Sequence, residues 1–153
     1  VNRQYFLLVR LIRSTLVDKR LANVFNLENI DVLDYRVAAN VLENAGDSIV
    51  ELSNFIFNFS LSKEYSKKIY DVVKTFNDVA EKSIDAFTKP DRLLAIKSIS
   101  MHKEYEKKLS LLRTSLGSKK QIPLDFLDLI YMFERIAQSW ADVADLVQPI
   151  YNE

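Results

Sequence analysis

The chain has no cysteine, which excludes a disulfide framework, a thiol nucleophile and a thiolate metal centre. Its single histidine, His102, excludes a zinc site built from several imidazoles. No Glu-x-x-His pair stands ready for a ferritin-like di-iron centre. With two glycines and three prolines in 153 residues, little is left to build turns, so a few long helices fit better than many short strands. Gly46 falls inside a predicted helix and Gly117 at a helix end, so neither builds a phosphate-cradling loop. Lys plus Arg and Asp plus Glu balance at 21 each, leaving no global field for nucleic acid or an anionic membrane. The most apolar early run, Tyr5 to Val9, is cut by Arg10 and Arg13, so the sequence offers neither a signal peptide nor a spanning helix, and a cytoplasmic location is expected. No nucleophile with an accompanying histidine and acid can be named, and the chain reads as non-enzymatic.

What is present is a stretch from Asp34 to Phe59 with helical periodicity. At about 100° per residue, Val37, Ala38, Val41, Leu42, Ala45, Ile49, Leu52, Ile56 and Phe59 share one side, with Glu43 and Asp47 one turn apart on the other. The layout returns in the run that begins at Asp125: Asp125 stands for Asp34, Glu134 for Glu43, Gln138 for Asp47 and Ser139 for Ser48. The segments before them match too. Asn2–Arg13 aligns with His102–Arg113, placing Tyr5 on Tyr105, Val9 on Leu109, Leu11 on Leu111 and Arg13 on Arg113. These matches predict an internally duplicated helical domain.

Five helices are expected: one ending near Asp18 to Asn23, one over Asp34–Phe59, one over Glu64–Phe87, one running to Leu116, and one from about Leu124 to Gln148. Polar residues Asn26 to Asp31, the serines Ser60 and Ser62, and the loop Ser118–Pro123 mark boundaries. In Thr88-Lys89-Pro90-Asp91, Thr88 is read as the helix cap and Pro90 as a first-turn residue. The halves divide as residues 1–60 and 61–153. By symmetry the helix over Glu64–Phe87 has no equivalent in the first half, and an additional helix is expected upstream of Val1. Trp140 and most other aromatic residues fit core stripes at helical spacing. On the polar side of the last helix, Leu127, Tyr131 and Ala141 accompany Glu134, which suits either a protein interface or packing within the domain.

Two carboxylates at i and i+4 repel by roughly 0.2–0.5 kcal/mol on an exposed helix. A hard cation or a neighbouring base such as Arg36 would offset this, and a solvated polar face is the plainer alternative. At Leu42–Leu52 (LENAGDSIVEL) and Phe133–Leu146 (FERIAQSWADVADL) the chain resembles the paired signatures of the PhoU family of phosphate-uptake regulators. The opening NRQYFLLVRLIRS followed by LDYRVAANVLENAGD is most similar to the archaeal branch, in which an AbrB-type DNA-binding domain commonly precedes the PhoU region.

The resemblance implies an all-α fold of tandem three-helix bundles, the first incomplete at its N-terminus. It implies a metal site, for iron or zinc, at Glu43, Asp47 and Glu134. Gln138 departs from the family's acid, as do Asn2 and its counterpart His102 in the opening helices. The implied role is regulation of phosphate uptake and signalling through contact with a phosphate transporter or signalling protein. Membrane association would come only through that partner, with no direct nucleic-acid contact from this region and assembly as a homodimer. The competing readings are a helical dimerisation module for a transcriptional regulator with an upstream DNA-binding domain, and a metal-binding or storage protein.

Overall fold

The computed structural model describes residues 2–58, 63–117 and 124–147. Among these residues the chain forms six helices and no strand: α1 (Asn2–Val17), α2 (Lys19–Val24), α3 (Asn29–Asn58), α4 (Lys63–Thr88), α5 (Arg92–Gly117) and α6 (Leu124–Asp145). The expected punctuation at Ser60 and Ser62, the boundary at residue 60, the loop 118–123, Phe59 and the helix end at Gln148 lie outside the described residues. No helix of the described residues is long and apolar enough to cross a membrane.

The sixth helix arises at Asp18, where the sequence periodicity shows only the fading of α1. The Asp18 side chain accepts a hydrogen bond from the Arg20 backbone N–H at 3.0 Å and starts α2 as its N-cap. The Arg20 guanidinium also donates to both Asp18 carboxylate oxygens, at 3.2 and 3.1 Å, and holds that carboxyl below its ordinary pKa. α2 ends in a Schellman arrangement: the Leu27 N–H reaches Ala22 O at 3.0 Å and the Asn26 N–H reaches Asn23 O at 3.1 Å. Asn26 takes a positive φ of 52°, a conformation that asparagine tolerates better than most residues.

α3 begins at Asn29, earlier than the apolar pattern indicated. Glu28 is the reason, because its N–H donates to Asp31 Oδ2 at 2.8 Å, the reciprocal half of a capping box. Between α4 and α5 the cap is Asp91, whose Oδ1 accepts from the Leu94 N–H at 3.0 Å. Thr88 instead closes α4, its hydroxyl donating to Ile84 O at 2.9 Å. Asp91→Ala is therefore expected to cost about 1 kcal/mol in urea unfolding, with Thr88→Ala costing less.

The chain divides into two compact units, Val1–Asp47 and Ser48–Glu153, with the division inside α3. In the second unit α4, α5 and α6 pack pairwise as a three-helix bundle. α4 presents Tyr65, Ile69, Val72, Phe76, Val79, Ser83 and Ala86 at alternating four- and three-residue steps, the spacing of a continuous helix seam. Tyr65 meets Phe126 of α6 at 4.5 Å between ring centroids. Phe76 meets Phe133 edge-on at 5.3 Å and Tyr105 of α5 at 6.3 Å. The Ser83–Ser98 hydroxyl pair at 2.6 Å crosses this core, with Ser98 also donating to Val79 O. Near that end Ala86, Ala95 and Ala144 let the helices approach closely.

The first unit is a hairpin of α1 and the N-terminal part of α3, with α2 between them. Ile12, Thr15, Val32, Ala38, Ala39 and Ala45 are its buried residues. The Thr15 hydroxyl is satisfied by Ile12 O at 2.7 Å. Across the hairpin the Tyr5 hydroxyl lies 3.5 Å from Asn40 Oδ1, and the Arg36 guanidinium sits 5.5 Å over the Tyr5 ring. The apolar stripe expected along α3 is buried only in part. Ala38, Ala45 and Leu52 are covered, but Val37, Leu42, Ile49 and Ile56 remain substantially exposed.

Candidate functional site

Glu43 and Asp47 fall on consecutive turns of α3 as the sequence predicts, with Glu43 half-buried and Asp47 exposed. Arg36 does not offset their charge, since its guanidinium covers Tyr5 instead. In the second unit, Glu134 receives both guanidinium nitrogens of Arg113, Nη1 at 3.2 Å and Nη2 in a closer contact. That pairing stabilises the α5–α6 seam, and α6 is tied a second time by the Arg135–Glu51 ion pair. The counterpart of Arg113–Glu134 in the first copy is Arg13 and Glu43, which form no ion pair among the described residues. Arg113→Ala is expected to cost about 1 kcal/mol or less, because both partners are substantially exposed to solvent. Raising the salt concentration should shrink that difference in urea unfolding further.

Glu43 and Asp47 belong to the first unit, while Glu134 is engaged by an arginine in the second. Among the described residues, no group of three or more His, Cys, Asp or Glu side chains is placed to hold a metal ion. Glu43 and Asp47 alone supply two of the four ligands of tetrahedral zinc, so the donors present do not fit a complete iron or zinc centre. Gln138 turns away from any such role, since its amide donates to Asp142 Oδ1 at 2.7 Å.

What periodicity did not reveal is a polar row inside the bundle. Ser98, His102 and Tyr105 follow one another along the buried face of α5. The His102 ring stacks near Tyr105 at 6.3 Å, and neither the Tyr105 hydroxyl nor the buried Trp140 Nε1 has a hydrogen-bond partner among the described residues. Burial, and then the charge of Glu134, push the Tyr105 phenol well above its ordinary pKa, with Arg113 opposing. Of the polar-side residues of α6, Ala141 is buried and so belongs to internal packing, whereas Tyr131 is exposed.

The second distinctive surface is concave. Along the seam of α1 and α3, Gln4, Tyr5, Leu8, Ala39, Leu42 and Glu43 line one hollow of about 410 Å³. Leu8, Ile12, Phe25, Val32 and Tyr35 are among the residues lining an adjoining hollow of about 240 Å³. Leu8 is shared, so the two form one apolar groove with Glu43 at its edge. No family model, curated protein or solved structure matches the chain.

Proposed function

We propose that the protein is a PhoU-like, non-enzymatic regulator of phosphate uptake and signalling, built as two related helical halves. It acts by contact with a phosphate transporter or signalling protein. The supporting observation is the repeated helix pair: α1 and α3 carry the same residue pattern as α5 and α6, with Glu43 and Glu134 at equivalent positions. The first unit also carries an apolar groove and exposed apolar side chains, including Phe6, Leu7 and Leu42. A surface of this kind favours a protein partner over a small substrate.

The test is co-purification of the tagged protein from its own cells, phosphate-replete and phosphate-starved, followed by identification of bound proteins. Recovery of a phosphate transporter or signalling component, changing with phosphate supply, is the expected result. Recovery of neither under either condition contradicts the proposal.

A further inference from the structure

In the second copy of the repeat, α4 covers one face of the helix pair at Phe126 and Phe133, whose counterparts Tyr35 and Leu42 are exposed in the first. A different face is exposed in both copies. On α5, with α4 and α6 both packed against it, Lys103, Glu106, Lys107, Ser110, Leu111 and Thr114 all meet solvent. The complete three-helix bundle leaves these positions bare, so their exposure does not depend on a third helix. Their counterparts on α1 are Arg3, Phe6, Leu7, Arg10, Leu11 and Ser14, on the side opposite the buried Ile12.

This outer face changes its chemistry between the copies. Where α5 has Glu106 and Lys107, α1 has Phe6 and Leu7, 61% and 68% exposed, and where α5 has Ser110, α1 has Arg10. The second copy shows that charged side chains serve the fold at the first two positions, so Phe6 and Leu7 are not there for packing. α1 also carries Arg3, Arg10 and Arg13 and no acid. With Lys19 and Arg20 they make five bases ahead of Glu28 against one acid, Asp18, in a chain whose charges otherwise cancel. Asp18 is held by Arg20, and Arg3, Arg10 and Arg13 form no ion pair among the described residues.

We propose that the outer face of α1 rests on an anionic membrane surface, with Phe6 and Leu7 in the headgroup–acyl boundary and the three arginines on lipid phosphates. Charge sets the sign of the partner, and the layout of the face sets its kind. At about 100° per residue the angular order is Phe6, Val17, Arg10, Arg3, Ser14 and Leu7, so cations lie between apolar side chains on a convex helix. An arginine placed there lays its stem along its apolar neighbours and lifts its guanidinium to the phosphates, an arrangement that a fluid boundary accommodates. The contact is peripheral, since no helix of the described residues is long and apolar enough to cross a membrane. It goes beyond the association through a partner that the resemblance implies, and it can fail while the phosphate-regulatory role holds.

The full chain is mixed with vesicles of phosphatidylcholine, alone or with an equal part of phosphatidylglycerol, and bound protein is read by flotation. Binding is expected to the mixed vesicles only, and it weakens as salt is raised. Arg3→Gln/Arg10→Gln and Phe6→Ser/Leu7→Ser are each expected to weaken it about tenfold or more. Lys103→Gln/Lys107→Gln, on the same face of the second copy, leaves it unchanged. Circular dichroism checks that the helices persist in all three variants. No binding to the mixed vesicles overturns the proposal and leaves the face to an acidic protein surface. Binding that the α1 variants weaken no more than the α5 variant does also overturns it, by reducing the attraction to one of general charge.

Discussion

Phe126→Ala is expected to destabilise the second unit by about 3–5 kcal/mol, while Tyr35→Ala, at the equivalent place in the first copy, costs about 1 kcal/mol or less. Phe126 is fully buried between α6 and α4, so truncation leaves a cavity lined by Tyr65 and its neighbours. Tyr35 already meets solvent, and losing its ring removes little buried surface. Urea unfolding followed by the fluorescence of Trp140, the only tryptophan and a residue of the second unit, reads the Phe126 effect. Far-ultraviolet circular dichroism reads both.

Tyr105→Phe is expected to stabilise the protein by about 1–3 kcal/mol, because it deletes a buried hydroxyl that has no partner among the described residues while keeping the ring between Phe76 and His102. The same substitution alters the alkaline behaviour. Folding raises the pKa of this phenol, so the folded state holds the proton more tightly than the unfolded chain, whose tyrosines titrate near 10. That contribution to stability is complete below a pH of about 10 and is lost as pH rises through the folded value. Urea unfolding between about pH 9 and 11 should therefore show a fall in stability with pH that is shallower in Tyr105→Phe. Equal slopes would mean that folding does not raise this phenol's pKa, and a loss of stability in the variant at neutral pH would mean that the hydroxyl has a partner after all.

The helices were legible in the sequence because α4 and α6 each bury one continuous stripe, and the scarcity of glycine and proline leaves few places for them to stop. The break at Asp18 was not legible. It depends on a side chain folding back onto the Arg20 amide, a choice that periodicity does not register. The stripe on α3 was legible as one apolar side but its burial was not, because apolar spacing reports that a face is apolar, not that another helix covers it. Val37 and Leu42 keep the spacing of core residues while remaining exposed. The carboxylates were visible as a pattern, yet their surroundings came from the fold. Glu134 finds Arg113 across a helix seam, while Glu43, at the same place in the repeat, has no such pair among the described residues. The buried polar row of Ser98, His102 and Tyr105 was equally hidden, since polar residues on a helix read as surface until packing places them inside.

Because the chain contains no cysteine, thiol labelling can compare the two copies position by position. Single variants Tyr35→Cys, Leu42→Cys, Phe126→Cys and Phe133→Cys would be treated with a thiol reagent under native conditions, with each rate divided by that of the same variant unfolded. The repeat with one covered and one open face predicts that the first two react within about tenfold of their unfolded rates, whereas the last two are slowed by about a hundredfold or more. Equal protection at equivalent positions would show that the first copy's face is closed in the same way as the second, and equal reactivity would show that α4 does not cover α6.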